Sequence, residues 1–187
     1  MMLEFIPDTH TYLYDGCALP SVTQILDAEG FIDKTWFTEY GRDRGRMVHK
    51  ATALDDMDDL NEESLDPVLV PYVEAWRKFK KDSGFIIEEI EVPKVELQFK
   101  FAGTPDRIGA LNGRRTVLDI KHIALPWTAL QLAAYECLDT PPLRRVAIEL
   151  KDNGKYNLKE YKDRQDRMIF FSALACFNWK KNNNGRK

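Results

Sequence analysis

Cysteine is scarce in this chain of 187 residues: there are three thiols, Cys17, Cys137 and Cys176, and no Cys-x-x-Cys pair. A chain so equipped assembles neither a disulfide framework nor a four-thiolate zinc or iron–sulfur centre, which implies a reducing, cytoplasmic setting. Long apolar runs are missing too. Nowhere do roughly 18 uninterrupted apolar residues occur, the length a membrane span requires. The opening Met1-Met2-Leu3-Glu4-Phe5 has no basic segment followed by an apolar run. The chain is therefore expected to be neither secreted nor membrane-embedded. Basic residues are not in excess either: 27 Lys and Arg stand against 30 Asp and Glu, a net charge of −3, so no global field draws nucleic acid. Clustered cysteines and histidines are absent, which argues against a structural metal site.

What is present suffices for one sizeable core. The composition is 44% hydrophobic and 11% aromatic, and one domain over residues 1–187 is expected. Basic residues gather locally at Arg42, Arg44, Arg46 and Lys50, at Lys78, Lys80 and Lys81, and at Arg114-Arg115 and Arg144-Arg145. A solvated surface accounts for any one of these groups.

Residues 10–19 alternate as a short extended pair around Asp15-Gly16, and Pro20-Ser21 then supplies a stop and an N-cap for a short helix through Val22, Ile25 and Leu26. A helix over about 34–57 carries Gly41 and Gly45, each costing roughly 1 kcal/mol in a helix interior, which predicts a close backbone approach or a break. Over 67–81 the apolar positions Leu69, Val70, Val73, Trp76 and Phe79 recur at the spacing of an amphipathic helix, which ends at Ser83-Gly84. The period then changes to strands at 85–92, 95–102, 104–111 and 116–121, followed by a helix over 125–138, strands at 145–150 and 156–161, and a closing helix over 163–179. The tail 180–187 is expected to fray. The resulting fold class is α/β (α+β), with a mainly antiparallel or mixed central sheet flanked by helices.

The dipeptide Asn112-Gly113 between two extended runs is a strong hairpin signal, because both central residues of a type I′ turn need positive φ. If Leu111 faces Arg114, pairing outward sets Asp106 directly across from Asp119, at a non-hydrogen-bonded position where Cα atoms approach to about 4.5 Å. Two carboxylates so placed repel by roughly 1 kcal/mol in water and about 4 kcal/mol at an effective dielectric of 20. A hard divalent cation offsets that repulsion, since Mg²⁺ takes oxygen ligands and often sits on carboxylates beside phosphate. Lys121, two residues beyond Asp119, points to the same face. An isolated Asp-x-Lys is usually a rim salt bridge. The facing carboxylate and the turn that sets its register are what distinguish this one.

Gly103-Thr104-Pro105-Asp106, then Asp119-Ile120-Lys121, then Gln131-Leu132-Ala133-Ala134-Tyr135 resemble the RecB-type branch of the PD-(D/E)XK nucleases, over nearly the whole chain. Gly45-Arg46-Met47-Val48-His49 is similar to that family's Gly-x-x-x-His helix, and Glu91 falls where members often carry a glutamate on the first strand. His10-Thr11-Tyr12 with Pro20-Ser21-Val22-Thr23 resembles the opening of phage-type members. The resemblance implies a restriction-endonuclease-like core, with Asp106, Asp119, the Ile120 carbonyl and His49 as metal ligands and Lys121 handling the nucleophilic water. It also implies Gln131 and Tyr135, i and i+4 on one helical face, set against DNA or the reacting centre. Glu91 would join the catalytic set, although a solvated acidic strand edge explains it equally well. His10 is read as structural, and Trp127 as a packing residue or a base-stacking platform. The sequence departs from the family at His122-Ile123-Ala124, where threonine and often glycine usually follow the lysine. It also lacks the cluster-holding cysteines of some members.

The implied activity is Mg²⁺- or Mn²⁺-dependent hydrolysis of phosphodiester bonds in DNA, with one or two ions and no iron–sulfur cluster, and the expected enzyme is an exonuclease of recombination, repair or replication. A structure-specific or nicking endonuclease and a catalytically silent nuclease-like binding module are the alternatives. DNA is the expected partner, no membrane is, and a homo-oligomer or a recombination partner protein stays open.

Overall fold

The computed structural model describes residues 2–35, 37–139 and 143–183. The chain opens with a small antiparallel sheet of β1 (Leu3–Ile6), β2 (Thr11–Tyr14) and β3 (Cys17–Leu19), turning at Asp15-Gly16. Ser21 then starts α1 (Val22–Ala28) with a full capping box: its Oγ accepts the Gln24 N–H at 3.1 Å, and Gln24 Oε1 accepts the Ser21 N–H at 2.9 Å. Helix α2 (Glu39–Asp56) begins five residues later than the periodicity predicts, because Thr38 offers its side chain to the Gly41 N–H and sets the cap there. Gly41 and Gly45 do not break it. At Gly45 a Cβ would meet nothing within 4 Å, so this glycine leaves open space beside the helix. Helix α3 (Val70–Ser83) ends on Gly84 in the left-handed conformation.

The strands that follow are β4 (Ile86–Ile90), β5 (Lys94–Glu96), β6 (Phe101–Gly103), β7 (Arg107–Leu111) and β8 (Arg114–Lys121). Then come α4 (Trp127–Glu136), β9 (Arg144–Leu150), β10 (Tyr156–Tyr161) and α5 (Gln165–Asn183). The central sheet runs β10-β9-β8-β7-β4, with β8 and β9 parallel and the remaining pairs antiparallel. Parallel neighbours need a crossover, and α4 lies within it. The expected α/β architecture of a mixed, mainly antiparallel sheet between helices is what the chain adopts.

Several expected boundaries shift, each for a local reason. The strand expected over 85–92 stops at Ile90, because Glu91 takes a φ of 48° that no strand tolerates, so Glu91 stands beyond the strand and not on it. The run expected over 95–102 is not one strand but the hairpin β5–β6, reversed by a turn that ends on left-handed Lys100, whose N–H donates to the Glu96 carbonyl at 2.9 Å. The strand expected from residue 104 starts at Arg107, because Pro105 has no N–H to give to a ladder. The closing helix runs on through Asn183, so the fraying expected from Lys180 does not hold for 180–183; residues 184–187 lie outside the described residues.

Two apolar layers cover the sheet. On one face α2 and α3 bring Val48, Tyr72, Trp76 and Phe79 against Leu118, Ile120 and Ile148. On the other, α1, α4 and α5 bring Ile25, Leu132 and Phe170 against Ile108, Val117 and Ala147. Side chains alternate along a strand, so the split of Val117 from Leu118 and Ile120 sends Asp119 and Lys121 to the α4 face. Among the described residues no helix is long and apolar enough to cross a membrane.

One ionic contact crosses the α2 side of the molecule. Arg107, fully buried, donates from Nε to Asp56 Oδ2 at 2.7 Å and from Nη1 to the Asp106 carbonyl at 2.6 Å, and its guanidinium lies 5.6 Å from the Trp76 ring. Asp56 also accepts the Trp76 indole N–H at 2.8 Å and pairs with Lys80 at 2.5 Å. Removing one member of such a pair leaves a buried charge short of partners. Arg107→Ala is expected to lower the free energy of unfolding by about 3 kcal/mol in urea titrations, the low end of the usual cost because Lys80 stays with Asp56. An unchanged midpoint would show that this contact does not tie α2 to β7.

Candidate functional site

The hairpin sets the site. Asn112 and Gly113 have φ of 52° and 71°, as a type I′ turn requires, and the ladder pairs Leu111 with Arg114 through to Arg107 with Leu118. Continued by one step, this register sets Asp106 across from Asp119. The next backbone partner for Ile120 on β7 would be Pro105. Instead, the Asp106 carboxylate swings in and accepts the Ile120 N–H at 2.6 Å. The N–H and C=O of one strand residue point to the same side, so the Ile120 carbonyl lies on this same unpaired edge.

Around this edge the predicted residues converge. His49 of α2 places Nδ1 3.2 Å from Asp106 Oδ1, and Lys121 places Nζ 2.7 Å from Asp119 Oδ2. Asp119 is 1% exposed. Burial pushes its carboxyl up, and the neighbouring Asp106 adds to this against the pull of Lys121, leaving it raised to about 6. Asp106 has the opposite fate: burial would raise it, but the His49 charge and hydrogen bond, Lys121 and the Ile120 N–H hold it down to about 2. For His49, burial works against the charged form, yet Asp106 outweighs it and the pKa rises. Burial likewise opposes the Lys121 charge, and the two aspartates keep it an ammonium.

From the helix above, Gln131 and Tyr135 meet as expected: Gln131 Nε2 donates to the Tyr135 hydroxyl at 3.0 Å, both residues being buried. Burial and then the two aspartates push the Tyr135 phenol well above its usual value. Tyr135 therefore keeps its own proton to donate. Gln131 Oε1, Thr128 Oγ1 and the Trp127 indole N–H are buried with no hydrogen-bond partner among the described residues. Gly103 explains how the tyrosine fits: a Cβ there would stand 2.8 Å from Tyr135 Cε1. Trp127 lies with Lys121 Nζ 5.5 Å from its ring centroid, so one of its faces is already engaged by the ammonium. Glu91 donates its N–H to the Asp106 carbonyl at 3.0 Å, while its carboxylate is 3.9 Å from Arg107 and half-exposed at the rim. His10 packs edge-on against Phe5 and Tyr12, outside this cluster of ion pairs.

Two residues escaped the motif reading. Arg107 holds the Asp106 carbonyl, and its only sequence signal is that it directly follows the Gly-Thr-Pro-Asp run. Glu149 is the one charged residue in the apolar run Val146 to Leu150. Its carboxylate accepts the Ala124 N–H at 2.9 Å and pairs with Lys151 at 2.8 Å, while Lys151 also donates to the His122 carbonyl at 3.0 Å. Together they pin the segment that leads from Lys121 into α4.

No family model and no curated protein matches the chain. Among solved structures, similarity is found to the alkaline exonuclease LHK-Exo of Laribacter hongkongensis, at 14% identity and a TM-score of 0.41, covering 89% of this chain and 93% of that one. The structure of SSO0001 is similar at 14% identity and a TM-score of 0.39, over 89% and 87%. LHK-Exo in complex with dAMP is similar at 14% identity and a TM-score of 0.31, over 89% and 93%.

The donor set is oxygen-rich, with two carboxylates, the Ile120 carbonyl and one imidazole whose Nδ1 lies against Asp106, so that Nε2 is the atom with which it could take a metal. Such donors suit a hard divalent ion, and the partnerless Gln131 Oε1 suits one of the waters such an ion keeps. Among the described residues, no three His, Cys, Asp or Glu side chains already form a metal cage. Instead, Lys121 and His49 form ion pairs with the two carboxylates and the Ile120 N–H donates to Asp106, while Asp119 Oδ2 accepts no hydrogen bond among the described residues.

Two outcomes follow. Partial burial would raise Glu149, but the bonds from Lys151, Ala124 and Asn157 hold it down to about 2, below its ordinary 4.5. Its contribution is therefore full above about pH 4.5 and fades as pH falls toward 2. Glu149→Gln should lower the melting temperature near pH 7 and lose that effect in strong acid; an equal loss at both extremes would refute the carboxylate's role. Gly103→Ala should cost about 1–3 kcal/mol by crowding Tyr135, and most of that cost should vanish in the Tyr135→Ala background of a double-mutant cycle.

Proposed function

We propose that the chain is a metal-dependent DNA nuclease of the PD-(D/E)XK type, acting most readily from strand ends as an exonuclease. The observation that carries this reading is the buried acid pair Asp106 and Asp119, raised from facing strands beside Lys121 and His49. Evolution rarely keeps two mutually repelling carboxylates buried unless a cation is to join them. Asp106, Asp119, the Ile120 carbonyl and His49 would hold Mg²⁺ or Mn²⁺. Bound there, the ion would polarise the phosphate and make its water acidic enough to attack at neutral pH.

The chain's own groups do the rest. Lys121, kept as an ammonium, leaves Asp119 to orient the attacking water and to steady the charge that develops on the phosphate oxygens. Tyr135, neutral and already accepting from Gln131, has its O–H free to donate toward the same oxygens. Glu91 and Arg107 fix the Asp106 backbone so that its carboxylate stays on the Ile120 edge. The loop pinned by Glu149 keeps water-excluding α4 over the acids.

A second reading, a DNA- or protein-binding module without turnover, draws on one observation: the ion pairs His49–Asp106 and Lys121–Asp119 already balance the two carboxylate charges within the chain. The test separates the two. End-labelled linear DNA and covalently closed circular DNA are incubated with Mg²⁺, Mn²⁺ or a chelator, using wild type, Asp119→Ala and Lys121→Ala. The linear DNA should be degraded and the circle spared, with chelation or Asp119→Ala abolishing cutting and Lys121→Ala slowing it about 10²–10³-fold. Cutting by Asp119→Ala would sink the site assignment, cutting of the circle would make the enzyme an endonuclease, and an inert wild type would favour the binding module.

A further inference from the structure

A groove of about 1310 Å³ runs from this site along α2. Arg42, Arg46 and Lys50 are spaced i, i+4 and i+8 on that helix and are all exposed, so they form one row about 12 Å long that ends next to His49. Each step along the row advances about 6 Å, close to the spacing of successive phosphates on an extended strand. The opposite wall is of another character: Pro7 and His10, from the turn between β1 and β2, line it and the Trp127 ring closes the inner end, while on α2 itself Ala53 and Leu54, and Met57 at its C-cap, continue the row as an apolar stretch beyond Lys50.

Many basic groups elsewhere are spent on carboxylates: Arg77 on Asp55 and Glu62, Lys80 on Asp55 and Asp56, Arg115 on Glu88 and Asp139, Arg145 on Asp166 and Glu136. Arg164 and Arg167, which have no such pair among the described residues, line a separate pocket away from the acid pair. Arg42 and Lys50 have no carboxylate partner among the described residues, and Arg46 is paired only with Asp43, one turn away on its own helix. In a chain with a net charge of −3, cations left free along one groove that leads to the acid pair are a local, directed field. Of the groove's own carboxylates, Glu39 sits at the far mouth, Asp43 is neutralised by Arg46, and Glu91 stands at the inner end with the aspartates.

We propose that this groove is the track of single-stranded DNA, with Arg42, Arg46 and Lys50 taking successive phosphates and the bases lying on the apolar wall that ends at Trp127. The identity of the ligand rests on the nuclease reading; the strandedness rests on the groove. A cationic row facing an apolar wall matches an unpaired strand, which shows phosphates on one side and base faces on the other. A duplex hides its bases and would leave that wall without a partner. The strand's entry along α2 also accounts for Gly45, whose missing side chain keeps the groove open one turn before His49.

The test measures binding apart from cutting. Fluorescence anisotropy of labelled short oligonucleotides, as single-stranded DNA, duplex DNA and single-stranded RNA, is followed in chelator across a range of salt. The proteins are wild type, Arg42→Gln, the triple variant Arg42→Gln/Arg46→Gln/Lys50→Gln, and Arg164→Gln/Arg167→Gln, which alters basic residues at the far end of the sheet; far-UV circular dichroism checks that each is folded. Single-stranded DNA should bind wild type most tightly. The slope of log K against log salt should flatten by about 0.7 in Arg42→Gln and about 2 in the triple variant, and stay unchanged in Arg164→Gln/Arg167→Gln. Tighter binding of duplex or RNA, equal slopes in wild type and the triple variant, or no binding by wild type would each overturn the proposal. The expected binding pattern in a protein that never cuts DNA would support the groove and remove the nuclease reading, whereas Asp119-dependent cutting with unchanged slopes would remove the groove alone.

Discussion

The arrangement of this molecule turns on one hydrogen bond, from the Ile120 N–H to the Asp106 carboxylate. The carboxylate takes the place that the Pro105 carbonyl would hold in a continued ladder, at the point where the β7–β8 ladder ends because Pro105 has no N–H to extend it. A side chain is thereby recruited into the sheet, and a charge comes with it. Once Asp106 is drawn in, Asp119 across from it is buried next to a like charge, and everything nearby answers that problem: His49 from α2, Lys121 from the same strand, the phenol of Tyr135 from α4.

The solution is distributed over both faces of the sheet. Arg107, one residue after Asp106, points to the α2–α3 layer and ties Asp56 to the Asp106 carbonyl, while Asp106 itself serves the other side. Alternation along a strand puts the support and the working group on opposite faces at adjacent positions. The apolar layers of α3 and α5 then exclude water from either side, which is what makes the charges costly and their pairing strong.

Much of the site was legible because short-range rules govern it. Asn112-Gly113 dictates a turn with two positive φ values, the turn dictates a register, and the register brings Asp106 to Asp119. The i, i+4 spacing of Gln131 and Tyr135 likewise fixes their common face. Other features were beyond such rules. Glu91 looked like a strand residue because the extended run Ile-Ile-Glu-Glu-Ile leads straight into it, yet a left-handed backbone turns it out of β4 toward the rim. The run from Val95 to Ala102 reads as one strand since its composition is uniform, whereas a four-residue turn reverses it. Glu149 and Arg107 carry no motif at all, and their importance depends on which backbone groups come to rest beside them.

Local sequence therefore settled most of the elements, the capping box at Ser21 and the hairpin register that brings the two acids together, since each depends on nearby residues and on backbone sterics. Tertiary structure decided the rest: that His49, from a helix far earlier in the chain, comes within 3.2 Å of Asp106, that Lys121 pairs with Asp119 under Trp127, and that the free cations of α2 line a groove leading to them. Those outcomes depend on how α2 and α4 pack across the sheet, and packing is governed by the combined shape of distant apolar surfaces, which no short window of sequence contains.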